Sequence, residues 1–401
     1  MTPSRPASCF EIFKCFFLLG LTSFGGPAAH IGYFRTTFVN QKQWLSEQDF
    51  AALVALSQVL PGPASSQVGF GLGRVAGGFA GACTAWLAFT LPSALFMGFA
   101  AYGLAYGVFD IDASVFALLK LIALVVVLNA VLGMAKSLCT SKPTWAIAAA
   151  SAITVLLIPS FWSQPAIILL AAIAGALLCQ PSQNEAQSAP ARLTPALWQK
   201  RLGWFSLLVA VALFVVLPWA AQATQSPVLQ GLDIIYRSAS LVFGGGHVVL
   251  PLLHQQLIDA QLMDSDLLLA GYSLAQAIPG PIFTLAAFIG AALDTSVPPW
   301  LAATLCLVVA FVPGFVLLWV AQDNLARVKQ LASPQGLGAF AGVNAAVVGL
   351  LFAALINPIL LTSLTSPQAA AIAIGLYAAL FLAKLPVWLV VSVSCAVAMV
   401  L

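Results

Sequence analysis

Gln58-Val59-Leu60-Pro61-Gly62-Pro63 stands inside an apolar stretch, residues 50–75, and Gln276-Ala277-Ile278-Pro279-Gly280-Pro281 stands inside another, residues 266–292, with 218 positions between them. Two prolines around a glycine remove two backbone donors and cannot sit in an unbroken helix. Each stretch is therefore predicted to split into two half-helices, the second starting near Ala64-Ser65-Ser66-Gln67 or Ile282-Phe283-Thr284. The first N–H groups of such a half-helix can face an anion. The hydroxyls of Ser65, Ser66 and Thr284 and the amides of Gln58 and Gln276 add donors nearby. A plain structural kink would leave the same trace in the sequence.

The surroundings decide the solvent. Of the 401 residues, 61% are hydrophobic and 7% charged, where soluble domains carry roughly 25% charged residues. The mean hydropathy is +1.02. Lipid admits only helices and closed barrels, and long continuous apolar runs favour helices. Thirteen apolar segments are predicted, near 11–33, 50–75, 78–107, 114–135, 144–158, 164–179, 203–220, 231–253, 266–292, 299–320, 336–356, 367–382 and 386–401. The first reads as a retained span, not a cleaved leader, because Gly25-Gly26-Pro27 interrupts it. The pairs within 144–179 and 367–401 are short for full crossings. With an inner N-terminus, eleven basic residues fall inside and two, Arg35 and Lys42, outside, as the positive-inside rule requires. The fold class expected is an all-α polytopic membrane protein.

The chain also repeats itself. Phe24-Gly25-Gly26-Pro27 aligns with Phe243-Gly244-Gly245-Gly246, 219 residues later. Phe70 aligns with Phe288, Pro92 roughly with Pro313, and Asn129-Ala130 with Asn344-Ala345. The same order at nearly constant offset implies a duplication: residues 1–180 as a first transporter repeat, 181–230 as a polar linker with one connecting span, and 231–401 as a second repeat. Six segments per half plus the extra one place the halves in opposite orientation, an inverted-topology repeat.

Glycine pairs in mid-membrane can unwind a helix and turn free N–H groups toward a cavity, although tight helix packing uses the same residues. His30 and His247 follow the two glycine motifs and could bind an anion, carry a proton or simply pack. Arg237 lies within an apolar segment and is a functional candidate by default, with snorkelling as the alternative. Lys120 reads as snorkelling and His254 as an ordinary loop residue. Asn129 and Asn344 are hydrogen-bonding candidates in spans. No Asp or Glu is placed deep within a span, which favours an anionic substrate over a cation. There is no P-loop pattern and no nucleophile–base set, so neither ATP hydrolysis nor an enzyme is indicated. The net charge of +3 is too small to suggest nucleic acid, and the seven cysteines lack metal-site spacing.

At these motifs the sequence resembles the chromate ion transporter family in its long two-domain form. The matching stretches are Leu21-Thr22-Ser23-Phe24-Gly25-Gly26-Pro27 with His30 and Gly32-Tyr33-Phe34-Arg35, then Ser57 to Pro63, then Phe243 to Pro251 and Gln276 to Pro281. The resemblance implies export of chromate across the bacterial inner membrane without ATP, driven by an ion gradient or the membrane potential. Sulfate, an isosteric dianion, is the implied competitor. It also implies that single-repeat relatives act as oppositely oriented pairs. Many relatives carry Lys where this chain has Leu18, the position aligned with Arg237, so a symmetric pair of cations is not expected. Partners expected are a small oxyanion and the lipid bilayer, with no cofactor, metal or nucleic acid; a homodimer is compatible. Alternatives are a sulfate or other oxyanion importer or exchanger, and an anion channel.

Overall fold

The computed structural model describes residues 7–108, 113–158, 163–179, 197–243, 249–324 and 333–400. Among them every regular element is a helix. Five helices are long and apolar enough to cross a bilayer: Ala64–Ala105, Ser114–Leu138, Arg201–Thr224, Pro299–Asp323 and Pro334–Ser363. Among the described residues the other predicted segments fall on divided or shorter helices.

In chain order, α1 is Cys9–Thr22, α2 Gly26–Phe34 and α3 Glu47–Val59. Next come α4 Ala64–Ala105, α5 Ala113–Leu138, α6 Lys142–Leu157 and α7 Ser163–Leu178. The connecting helix α8 is Leu197–Thr224. It is followed by α9 Pro227–Ser240, α10 Val249–Asp259, α11 Ser265–Ala277 and α12 Leu285–Ala292. The chain ends with α13 Pro299–Asp323, α14 Pro334–Ala354, α15 Pro367–Tyr377 and α16 Val387–Val400. Starts are written locally: Ser8, Ser46, Ser141, Ser333 and Ser366 each accept a first-turn N–H, and Glu11, Glu47 and Asp49 sit where the helix dipole favours an acid.

Helices α1 and α9 both have 14 residues, and α3 and α11 both have 13. Thirteen residues reach about 20 Å, short of the ~30 Å hydrocarbon layer. Neither α3 nor α11 crosses alone, and each leads into a Pro-Gly-Pro break.

The chain forms two compact units. The first comprises Met1–Tyr102, Gln183–Gly246 and Ile278–Gln330, and the second Gly103–Ser182, His247–Ala277 and Leu331–Leu401. Each unit draws on both sequence halves.

In the first unit, α4 folds back at Gly77-Gly78, where Gly78 has φ +64°. The two arms touch through small residues: a Cβ on Gly73 would lie 2.5 Å from the Gly81 carbonyl oxygen. Between α12 and α13 the same device recurs, with a Cβ on Gly290 placed 2.5 Å from the Ala302 carbonyl oxygen. Phe16, Phe34, Phe38 and Trp44 form one aromatic core, and Phe70, Trp86, Phe311 and Phe315 another. Helix α8 exposes Phe205, Leu208, Val211, Val215 and Trp219, an apolar face suited to acyl chains.

In the second unit, α14 packs on α7 where Gly175 faces Gly338 and Gly342, and on α6 where Gly349 faces Ala148. These contacts leave no room for side chains.

Candidate functional site

The first glycine motif breaks the helix as its chemistry predicts. Helix α1 stops at Thr22 and α2 starts at Gly26, with Pro27 in its first turn. Gly25 and Gly26 have φ of +104° and +77°, angles that side-chain-bearing residues avoid. A Cβ on Gly26 would meet nothing within 4 Å, so the backbone angle and not space demands glycine there. In the second motif, α9 ends at Ser240 and Phe243 is half-buried, while Gly244, Gly245, Gly246 and His247 lie outside the described residues.

His30 is buried one turn into α2. Its Nε2 lies 3.1 Å from the Ser23 carbonyl oxygen, which can only accept, so Nε2 carries the proton. Nδ1 lies 3.4 Å from the Ser65 hydroxyl, which can donate or accept. The ring stands edge-on to Phe89 at 5.3 Å between centroids.

Both Pro-Gly-Pro breaks form where expected: α4 begins at Ala64, and a 3-10 turn, Ile282–Thr284, precedes α12. Gly62 and Gly280 have φ of +124° and +111°. The Gly62 N–H donates to the Val242 carbonyl at 2.7 Å, and the Gly280 N–H donates to the Ser23 carbonyl at 3.2 Å. Val242 and Ser23 each immediately precede the phenylalanine of a Phe-Gly-Gly motif. Each proline break is thus tied to the glycine break of the other half. Space is exchanged in the same way. A Cβ on Gly62 would lie 2.8 Å from Gly314 Cα, and one on Gly280 would lie 2.5 Å from Ser93 Oγ. Gly314 and Ser93 each follow a helix-internal proline, Pro313 and Pro92.

Polar groups gather at these breaks. Gln67, buried in the first turns of α4, donates from Nε2 to the carbonyls of Pro61 and Gly314, both at 3.0 Å. The buried oxygens Ser23 Oγ, Ser57 Oγ, Ser66 Oγ, Gln67 Oε1 and Thr90 Oγ1 have no hydrogen-bond partner among the described residues. A buried polar atom without a partner costs about 1–3 kcal/mol, so each calls for a ligand or water. Ser65 and Thr284 are engaged within the protein, Thr284 donating to the Pro281 carbonyl at 2.9 Å. Gln58 is exposed, and Gln276 is half-buried in the second unit, as are Asn129 and Asn344.

The charges add something the sequence did not show. Two carboxylates are buried after all, each against an arginine. Asp233 pairs with Arg237 one turn along α9. Asp323 accepts from Arg74 at 2.5 Å, and Arg74 also reaches Gln322 Oε1 at 3.1 Å and lies 5.4 Å from the Trp319 ring centre. Arg237 is therefore neutralised by its neighbour. Lys120 pairs with Asp266, while Arg35–Glu47 and Lys42–Glu11 are exposed pairs of small energetic weight. His254 is no loop residue: it is buried in α10 and hydrogen-bonds Ser265 at 2.8 Å. It lines a cavity of about 240 Å³ in the second unit with Gln164, Gln255 and Asn357. No group of three or more metal-ligating side chains occurs among the described residues.

The residues that sequence reasoning left out are Ser23, Ser57, Gln67, Thr90, Ser93 and Gly314. Ser23, Ser57 and Gln67 adjoin the motifs and could have been included on proximity. Thr90, Ser93 and Gly314 sit in ordinary-looking helix and carry no local signal.

The family model described as "Chromate transporter" matches residues 10–176 and 229–400. Among curated proteins, the chain is 29% identical over 287 residues to the "Probable chromate transport protein" of Synechococcus elongatus, covering 70% of this chain and 68% of that one. It is 26% identical over 387 residues to the "Chromate transport protein" of Pseudomonas aeruginosa, covering 92% and 85%. It is 25% identical over 363 residues to the protein of that name from Cupriavidus metallidurans, covering 86% and 81%. No solved structure matches.

Proposed function

This chain belongs to the chromate transporter family, a family of transport proteins and not enzymes, and from that premise we propose that it is a secondary transporter that exports chromate across the bacterial inner membrane and so confers chromate resistance. The helices that can cross a bilayer make it a multi-pass membrane protein. The observation that carries the reading is the reciprocal tie of Gly62 to Val242 and Gly280 to Ser23. Unwound backbone is stable at membrane depth only when buried in protein or lining water. The proline breaks meet the glycine motifs through these two hydrogen bonds, and the backbone dipoles gathered there can replace an oxyanion's hydration.

The same exchange supports two repeats, 1–180 and 231–401, in inverted topology, joined by 181–230 with its single span α8. Equivalent positions then swap partners across a pseudo-two-fold axis. On this reading Phe24, Gly25, Gly26, Pro27, His30 and Phe243 form one side of the substrate shell, and the two proline breaks with Ser66 form the other; Gly244, Gly245, Gly246 and His247 stand as expectations from the sequence. Arg237, held by Asp233, shapes the local field instead of binding the ion. The membrane potential, negative inside, drives an anion outward by about 2.3 kcal/mol per charge per 100 mV, so no ATP is needed.

Gly62→Leu or Gly280→Leu tests the site. Leucine cannot adopt these backbone angles cheaply and would strike Gly314 or Ser93. Cells with normal amounts of either variant in the membrane should accumulate chromate as vector controls do. Unchanged exclusion would falsify the broken-helix site.

A further inference from the structure

We propose that residues 9–41 and 47–77 are two re-entrant hairpins, each entering and leaving the bilayer by the cytoplasmic face, with the first glycine break and the first proline break at their tips. Neither of the predicted segments 11–33 and 50–75 then crosses the membrane. The inference goes beyond the transport reading and holds for any substrate. The first hairpin is marked by pairs that step outward from one turning point. Next to the tip, His30 Nε2 lies 3.1 Å from the Ser23 carbonyl oxygen. Farther out, the Phe16 ring stacks on Phe38 at 4.7 Å and tilts against Phe34 at 5.6 Å between centroids. At the open end, Lys42 Nζ lies 2.8 Å from Glu11 Oε1. Helix α1 has 14 residues and reaches about 21 Å, and α2 with the π-turns of Arg35–Gln41 reaches about as far again. Laid end to end as a crossing, they would hold Glu11 and Lys42 roughly 40 Å apart. The ion pair therefore requires the chain to turn back, and Gly25 and Gly26, with φ of +104° and +77°, supply the turn.

The second hairpin repeats this geometry around Pro61-Gly62-Pro63. A Cβ on Gly71 would lie 2.6 Å from Leu53 Cδ1, so α3 and the first arm of α4 lie side by side with the break between them. At the open end, α3 begins at Glu47, whose carboxylate is 2.8 Å from Arg35 Nε. The other arm ends at the Gly77-Gly78 turn. There the Ala76 carbonyl accepts the Ala7 N–H at 3.0 Å, and a Cβ on Gly77 would lie 2.7 Å from Ile12 Cδ1. The open ends of both hairpins thus share the level of the first turn of α1. Glu11, Arg35, Lys42 and Glu47 keep 40–57% of their side-chain surface exposed there, which makes that level a watered rim. Residues 15–34 and 50–73, which include both tips, hold no Lys, Arg, Asp or Glu. A charged rim above uncharged arms is what a hairpin dipping from water into lipid requires.

A crossing helix of the same unit locates the far face. Helix α13 has 25 residues, about 37 Å, enough for the hydrocarbon layer. It ends beside the rim, where Asp323 receives Arg74 at 2.5 Å. It begins beside α12, where a Cβ on Gly290 would lie 2.5 Å from the Ala302 carbonyl oxygen. The residue after α12, Leu293, in turn lies 2.9 Å from where a Cβ on Gly231 of α9 would stand. Helices α9 and α12 therefore reach inward from the far face. Their inner ends, Val242 and Gly280, are the ones bonded to Gly62 and Ser23. The breaks are the places where arms from opposite faces meet at mid-depth.

Charge names the face. Read as two full crossings, the segments put Arg35 and Lys42 alone on the outer side, against eleven basic residues inside. Read as hairpins, they bring both residues inside, and the two exceptions to the positive-inside rule disappear. Two crossings are withdrawn together, so the first half keeps an even number and the parity that sets the halves in opposite orientation is unchanged.

Side and shape are tested separately on the full chain. Gln41→Cys and Ser296→Cys are made one at a time, both at exposed positions, the first at the open end of the first hairpin and the second in the loop between α12 and α13. Spheroplasts of a bacterial host are treated with a membrane-impermeant maleimide before or after permeabilisation, and the wild-type chain gives the label due to its seven native cysteines. Ser296→Cys should be labelled in intact spheroplasts, and Gln41→Cys only after permeabilisation. Gln41→Cys labelled in intact spheroplasts, or reached from neither side, overturns the proposal, as does Ser296→Cys that stays silent until permeabilisation. For shape, the wild-type protein in its membrane is treated with a carbodiimide, which joins an amine to a carboxylate in direct contact, and its peptides are read by mass spectrometry. A Lys42–Glu11 link should appear. Its absence overturns the hairpin, and the Lys120–Asp266 link, from an ion pair of 3.0 Å, shows that the reagent reached the protein. Both readouts are independent of chromate movement, so their failure leaves the transport reading standing.

Discussion

Arg74 shows what one side chain contributes that no local pattern announces. In the sequence it is one of the eleven basic residues assigned to the inner side, and its partner Asp323 lies 249 positions away. Nothing in either neighbourhood links them, because an ion pair between distant helices is set by the assembled packing and not by local chemistry. The Asp233–Arg237 pair is the opposite case: the i, i+4 spacing is written in the chain, and pairing on one helix face follows from it. In both, a buried charge is compensated, and removing one member strands the other. Arg74→Met should therefore lower the stability of the purified protein by about 3–5 kcal/mol. Adding Asp323→Leu should recover most of that loss, because the stranded carboxylate is then gone. Thermal unfolding of the single and double variants in the same detergent measures both effects. A double variant no more stable than Arg74→Met would mean that the pair supplies attraction well beyond its desolvation cost.

Among elements, the breaks were the most legible features, since glycine and proline act on the backbone residue by residue. The Pro-Gly-Pro splits and the Thr22-to-Gly26 interruption lie where the sequence puts them, and the boundary between segments 50–75 and 78–107 coincides with the turn at Gly77-Gly78. The choice of facing helices was not legible. Long apolar segments look alike to a hydropathy reading, and glycines that permit close approach resemble glycines that permit a turn. Helix α14 is an example: Gly338, Gly342 and Gly349 are helical, and their value is the contact with α7 and α6. Gly342→Leu would drive a side chain into the α7 backbone at Ala171 and Gly175, with no flexible neighbour to yield. Overpacking of this kind typically costs about 1–3 kcal/mol, and more where backbone is struck. The variant should fall below wild type in thermal stability, whereas Leu at half-buried Gly98, where a Cβ meets nothing within 4 Å, should not.

At the scale of the whole chain, the order of elements and the spatial grouping disagree in an informative way. On the proposed two-repeat reading, the sequence runs as a first half, a connecting helix and a second half, an order inferred from the repeat offsets. Yet each compact unit takes helices from both halves: the first holds α1 to α4 with α8, α9, α12 and α13, and the second holds α5 to α7 with α10, α11 and α14 to α16. A repeat whose elements are completed by the other repeat cannot bury its own polar breaks, because the carbonyl that receives Gly62 N–H belongs to Val242 and the one that receives Gly280 N–H belongs to Ser23. Left alone, either half would hold unpaired backbone donors in lipid, at a cost of several kcal/mol each. Covalent continuity between the halves is not what satisfies them; presence of both is. If the chain exports chromate as proposed, separate expression of residues 1–180 and 197–401 should restore chromate exclusion when both are made in the same cell, and neither fragment alone should accumulate in the membrane or protect. Quantifying each fragment by immunoblot beside cellular chromium checks this directly, and a single fragment that accumulates and protects unaided would show that one repeat closes its own breaks.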